Sequence, residues 1–283
     1  MKRKELSDFE KFVIYEKGTE KPFSGKYNDH FKEGLYVCKN CGIPLYESNS
    51  KFHSHCGWPS FDEEIPNAVE KRPDPDGVRT EISCNYCGAH LGHVFTGEQY
   101  TEKNIRHCVN SVSLDFIEKD EKPELNRIYF AAGCFWGVEH LIKDLDGVER
   151  TQVGYMGGHM KLPTYEQVCM GITNHAETVG VIYNQEITTE KLIKYFFEIH
   201  DFTQVDRQGP DIGTQYRSAI FYTTESQKKV AEKLKTQLEK TYSVATKIEK
   251  AETFWLAEAY HQHYYEKTKH SPYCHHRKEI NWQ

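Results

Sequence analysis

Before residue 117 the apolar positions come in short runs, such as GLYVC (34–38) and GHVF (92–95), separated by Gly, Pro and His. That texture predicts strands and loops, with one helical start around ELSDFEKFVIYE (5–16). After the charged stretch IEKDEKPELNR (117–127) the periods change. RIYFAA (127–132) reads as a buried strand, and from Phe135 the positions Val138, Leu141, Ile142 and Leu145 recur at helical spacing. Strands follow near 148–156 and at ETVGVIY (177–183), then a helix opened by Thr188 or Thr189 with Leu192, Ile193, Phe196 and Phe197 on one face. YRSAIFY (216–222) gives another strand, and an amphipathic charged helix follows over about 225–241. The order β-α-β-β-α-β is that of a ferredoxin-like α/β sandwich.

The proline-containing charged stretch marks a domain boundary. The expected layout is a mainly β domain over 1–117, a linker over 118–127 and an α/β domain over 128–283. With 283 residues and 38% hydrophobic content, two ordinary cores can be built. The net charge of −6 gives no general attraction to a phosphate backbone, so nucleic acid is not an expected partner. No apolar segment follows the basic MKRK start, and no run of about 18 apolar residues occurs. The expectation is a soluble, cytoplasmic protein with no membrane partner, on the premise that Met1 is the natural start. Nine cysteines, an odd number, argue for metal ligands and redox thiols over a disulfide framework.

CKNC (38–41) and CNYC (84–87) are both C-x-x-C, each followed by glycine, Gly42 and Gly88. One such motif alone would also suit a thioredoxin-like redox pair. Two of them, Cys38, Cys41, Cys84 and Cys87, suit a closed tetrahedral zinc site of structural role, tying two distant loops together.

Of the remaining thiols, Cys108 lies in RHCVNSVSLDF (106–116), where period two puts Cys108, Asn110, Val112, Leu114 and Phe116 on one face of a strand. Arg106 and His107 precede it, and HLGH (90–93) supplies two more imidazoles, so cationic neighbours favour the nucleophilic thiolate. A buried core cysteine fits the same strand pattern. CGWPSF (56–61), the paired knuckles, GAHLGHVF (88–95) and RHCVNSVSL (106–114) together resemble methionine sulfoxide reductase B over nearly all of residues 1–117. That resemblance implies a pair of antiparallel sheets, Cys108 as catalytic cysteine and Cys56 as resolving cysteine. It also implies Trp58, His90, His93 and Asn110 around the sulfoxide.

GCFWG (133–137) follows a predicted strand and opens a predicted helix, so Cys134 falls at a helix N-terminus. There the exposed N–H groups and the macrodipole favour negative charge, and such thiols have pKa values of about 3.5 to 7.5 against about 8.5 when free. Phe135 and Trp136 can form an apolar wall for a methyl group. GCFWGVEH (133–140), PTYEQVC (163–169), HAETV (175–179) and DIGTQYRSAIF (211–221) are similar to methionine sulfoxide reductase A over 128 to about 276. The resemblance implies Cys134 as nucleophile, Phe135 and Trp136 on the substrate methyl, and Glu177 as the acid that protonates the oxygen. Tyr165, Asp211 and Tyr216 would complete the oxygen side, and Cys274 would resolve through a single Cys134–Cys274 disulfide. Cys169 reads as a packed core thiol, and a metal site from Cys274, His275 and His276 is disfavoured because adjacent residues rarely aim at one ion.

Both resemblances imply the same chemistry, a cysteine sulfenic acid followed by a disulfide that thioredoxin reduces, with no organic cofactor. They assign the R epimer to the N-terminal half and the S epimer to the C-terminal half. The reading from another class is a zinc-ribbon interaction or nucleic-acid module with a redox-sensing tail. It explains four cysteines but neither GCFWG nor the pocket residues, and the acidic charge weighs against it.

Overall fold

The structure, a computed structural model, describes residues 5–119, 121, 123–270, 275 and 277–282. The chain divides into two compact units, Met1–Asn126 and Arg127–Gln283. The first unit opens with the helix Asp8–Tyr15, started by a reciprocal cap in which Ser7 and Glu10 satisfy each other's backbone N–H. The rest is mainly β. A three-stranded antiparallel sheet runs in the order Pro44–Glu47, Gly34–Cys38, Leu114–Glu118. A six-stranded antiparallel sheet runs in the order Lys51–Phe52, Ser60–Phe61, Ile105–Val109, His90–Thr96, Thr80–Cys84, Val69–Pro73. Tyr36, Tyr46 and Phe61 are fully buried, and the last two stack with centroids 4.2 Å apart.

The expected single strand over 106–116 is broken. Strand Ile105–Val109 ends in a 3₁₀ turn, Ser111–Ser113, before the chain resumes as Leu114–Glu118 in the other sheet. Glu20 makes the break: its carboxylate accepts from the N–H groups of Ser111 and Val112, so two donors lost to the ladder find a partner.

In the second unit a six-stranded sheet runs in the order Lys247–Lys250, Ser218–Tyr222, Leu125–Ala132, Ala176–Asn184, Val148–Met156, Trp255–Leu256. Successive residues of Leu125–Ala132 face opposite sides: Ile128 and Phe130 join the larger core, Tyr129 and Ala131 the smaller. Helices Phe135–Ile142, Thr189–Glu198 and Glu225–Glu239 add to the larger core. Thr188 caps the second of these, whose Leu192, Ile193, Phe196 and Phe197 are buried as their spacing predicts. The strand Ala176–Asn184 is buried on both faces, and its first in-facing side chain on the larger core is not apolar but Glu177.

Candidate functional site

Cys38, Cys41, Cys84 and Cys87 come together with all four sulfurs within 4.8 Å of one another, a group able to hold a metal ion. Each knuckle turns through a left-handed glycine, Gly42 at φ +79° and Gly88 at φ +75°, whose N–H returns to the carbonyl of Cys38 or Cys84.

The strand Ile105–Val109 presents Cys108 to the loop that follows Phe52, and Cys56 Sγ stands 3.7 Å from Cys108 Sγ. Alternation separates the basic neighbours. Arg106 shares the face of Cys108, while His107 points into the core, where its Nδ1 meets Tyr46 and its Nε2 meets Glu64 at 3.0 Å. Arg106 favours the Cys108 thiolate as expected, but the contact with Cys56 and burial outweigh it, and the guanidinium has further partners. Glu98 grips its guanidinium with two bonds, and Nη1 reaches Cys56 Sγ at 3.3 Å. The hydrogen bond from Cys108, with help from Ser54 and Ser60, pulls the Cys56 thiol down to about 4; the same bond and burial push Cys108 up. Within this pair of touching thiols the thiolate form is favoured at Cys56 and opposed at Cys108.

Trp58 donates its indole N–H to the Glu20 carbonyl at 3.1 Å. His90 is buried, with Nδ1 2.8 Å from Glu81, and Glu81 also accepts from Lys17. A carboxylate only accepts, so Nδ1 carries the proton and the neutral ring presents a lone pair at Nε2, which is buried and has no hydrogen-bond partner among the described residues. His93 turns its Nε2 to Asp74 at 2.7 Å. Asn110 is fully engaged with backbone, donating to Leu91 O and accepting from Glu20 N–H, and so acts as a brace for the strand end. Glu20 and Glu81 escape motif reading. Only a lone acidic residue inside the apolar alternation of TEISC (80–84) hints at Glu81.

In the second unit Cys134 takes the N-cap position of the helix Phe135–Ile142, without a side-chain capping bond, and is buried at 7% exposure. Gly133 adopts φ +92°, and a Cβ there would lie 2.6 Å from Gln208 Cβ, so only glycine lets the strand turn so tightly into the helix. Glu177 Oε2 accepts from Phe135 N–H at 3.0 Å. Burial first, then Cys134 and Asp211, push the Glu177 carboxyl well above the usual range and so favour its protonated form. Burial, the largest cause, also raises the hydroxyls of Tyr165 and Tyr216, and it raises Asp211, one of whose oxygens is buried with no hydrogen-bond partner among the described residues. Cys169 is exposed, not a core thiol: it ends the short helix Tyr165–Cys169, where Val168 takes the inward position. Cys274 lies outside the described residues.

Sequence motifs also miss the segment 258–264. Glu258 accepts from Tyr155 O–H and from Tyr165 N–H, Gln262 bonds Val153 at both N–H and carbonyl, and His263 N–H donates to Glu139. His261 accepts from the Trp136 indole, and Tyr264 stacks on it.

Two thiols in contact, and a thiol at a helix N-cap beside a buried carboxyl whose proton affinity burial raises, define a thiol oxidoreductase with two centres. Family comparison makes the class particular. Residues 126–283 match the peptide methionine sulfoxide reductase family, and residues 6–118 match the SelR domain. A peptide methionine sulfoxide reductase MsrA of Methanosarcina mazei is 47% identical over 178 residues, 60% of this chain and 84% of that protein. The chloroplastic peptide methionine sulfoxide reductase B3 of Oryza sativa is 56% identical over 114 residues, 40% of this chain and 50% of its own length. The reduced form of Mxr1 from Saccharomyces cerevisiae superposes with a TM-score of 0.53 at 37% identity, covering 55% of this chain and 93% of that one. The chain belongs to the peptide methionine sulfoxide reductase family, as an MsrB-type half followed by an MsrA-type half, and it reduces methionine sulfoxide.

Proposed function

We propose that the two centres reduce the two epimers of methionine sulfoxide separately, the R form at Cys108 within residues 1–117 and the S form at Cys134 within residues 128–283, joined by 118–127. Sulfoxidation creates a chiral sulfur, and one pocket fits one hand. The observation that carries the reading is Glu177, a buried carboxyl hydrogen-bonded to the residue that follows Cys134. A sulfoxide oxygen departs only when protonated, and burial favours the proton-bearing form of this acid.

At each centre the cysteine sulfur attacks the sulfoxide sulfur while the oxygen gains a proton. Methionine leaves and the enzyme sulfur becomes sulfenic acid, so the thiol is oxidised by two electrons as the sulfoxide is reduced. At Cys134, Glu177 supplies the proton, with Tyr165, Tyr216 and Asp211 around the oxygen and Phe135 and Trp136 against the methyl. At Cys108, His90, oriented by Glu81, takes the thiol proton and passes it on, while Trp58 and His93 frame the pocket. Cys56 or Cys274 then attacks the sulfenic sulfur, releasing water and forming a disulfide. Thioredoxin is the external dithiol that this disulfide calls for. The pull of Cys56 toward the thiolate supports its resolving role, because the thiolate is the attacking form.

Cys38, Cys41, Cys84 and Cys87 hold a structural zinc ion in this reading. Zinc–sulfur bonds of about 2.3 Å put tetrahedral sulfurs about 3.8 Å apart. The Cys38–Cys87 and Cys41–Cys84 separations, 3.6 and 3.8 Å, suit that geometry. The strand order of the second unit supports the ferredoxin-like assignment of its core. The compartment proposed is the cytoplasm, where thioredoxin keeps thiols reduced; no helix among the described residues is long and apolar enough to cross a membrane.

The test is mass spectrometry of the non-reduced chain after one turnover on each epimer. Cys56–Cys108 linkage is expected after the R form and Cys134–Cys274 after the S form; other pairings overturn the scheme.

A further inference from the structure

Trp136 is held by a side chain that no motif marks. Its indole Nε1 lies 3.1 Å from His261 Nδ1, and its ring stacks on Tyr264 with centroids 3.7 Å apart and planes 5° from parallel. His261 is fully buried, its ring centroid 4.3 Å from that of Tyr165 and 5.2 Å from that of Phe135. An indole N–H only donates, so Nδ1 presents a lone pair and the neutral imidazole carries its proton on Nε2. That proton faces Glu258, whose Oε2 is 3.9 Å away and whose carboxylate already holds Tyr155 O–H and Tyr165 N–H. The stack alone leaves the indole free to slide in its plane. The bond to His261 removes that freedom.

We propose that His261 is a positioning residue for reduction at Cys134: by accepting from Trp136 it fixes the indole against the substrate methyl and so sets the discrimination between a methyl and a larger S-alkyl group. This rests on the reading of Trp136 as the methyl wall. A pocket that excludes one extra methylene discriminates by about 10- to 200-fold, and a wall free to shift loses much of that. The side chain required at 261 is one that places an acceptor where Nδ1 now stands.

The experiment uses the full chain and compares kcat/KM for the S epimers of methionine sulfoxide and ethionine sulfoxide, together with the NMR shift of the Trp136 indole proton, assigned by its absence in Trp136→Phe. In His261→Phe the methyl-over-ethyl ratio is expected to fall about tenfold and the indole proton to move upfield. His261→Asn, whose Oδ1 replaces Nδ1, restores both to within about threefold, whereas His261→Gln, with its oxygen at the Nε2 position, does not. In a Trp136→Phe background, His261→Phe adds less than about twofold. An unchanged ratio in His261→Phe, equal behaviour of the Asn and Gln variants, or a full His261→Phe effect without Trp136 overturns the proposal. Should His261→Phe not fold, the contrast between Asn and Gln decides alone. A Trp136→Phe chain with an unaltered ratio overturns the methyl-wall reading itself, an outcome distinct from failure of the His261 variants alone.

Discussion

Burial favours the protonated form of both Glu177 and Cys56, and the two end apart because hydrogen bonds outweigh it only at Cys56. At Glu177 the folded value lies above the unfolded one of about 4.3. Stability from this group is therefore complete below the unfolded value and is lost as pH rises toward the folded one. At neutral pH the carboxyl is a burden on the fold. Glu177→Gln, which keeps an acceptor for Phe135 N–H, should raise the melting temperature of the second unit by about 2–4 °C for each kcal/mol recovered. It should also lower S-epimer turnover by about 10²- to 10⁴-fold; calorimetry and kinetics on one preparation check both. For Cys56, hydrogen bonds and Arg106 outweigh burial. Alkylation followed by peptide mapping should find Cys56 reacting ahead of Cys108, at a rate nearly flat from pH 5 to 8 and falling below about pH 4. Arg106→Met should move that fall to higher pH.

Elements differed in how far their own residues specified them. The helix Thr189–Glu198 was readable because cap and period agree: Thr188 accepts from Lys191 N–H, and four buried side chains recur at 3.6-residue spacing. Thr188→Ala should cost about 1 kcal/mol in urea unfolding, far less than the about 3–5 kcal/mol expected of Phe196→Ala in the core. The stretch 106–116 was misread because its break is not local. The carboxylate that receives Ser111 N–H lies 91 residues earlier, and no window along the strand contains it. The same limit hid the partner of Arg106. Period two correctly separates His107 from Cys108, but only the fold decides that the guanidinium serves Cys56 as well as Cys108.

At the scale of the molecule, each unit has its own sheets and its own chemistry. Cys108→Ser is expected to abolish R-epimer reduction with S-epimer reduction within about twofold of wild type, and Cys134→Ser to do the converse; loss of both from one change would mean coupled centres. Metal removal belongs to this scale as well, since the four cysteines tie together knuckles far apart in the chain. Ion binding at such a site contributes about 10 to 16 kcal/mol of apparent free energy. Chelation should therefore unfold the first unit, seen as loss of its β-sheet signal and of R-epimer activity, while S-epimer activity persists.

By itself the amino-acid sequence pointed to the candidate chemistry: spacing marked the paired cysteine knuckles and the cysteine at a helix start, and resemblance to the two reductase types implied the roles of the nucleophiles and the acid. It determined most strands and helices too, since their periods are local. Tertiary structure alone decided the surroundings that set charge and protons: that Cys56 is drawn toward the thiolate and Cys108 away from it, that Asn110 braces backbone, that Cys169 is exposed, and that His261 and Tyr264 hold Trp136. Proton affinity depends on which partners reach a group and how much water is excluded, and both are set by residues distant in the chain.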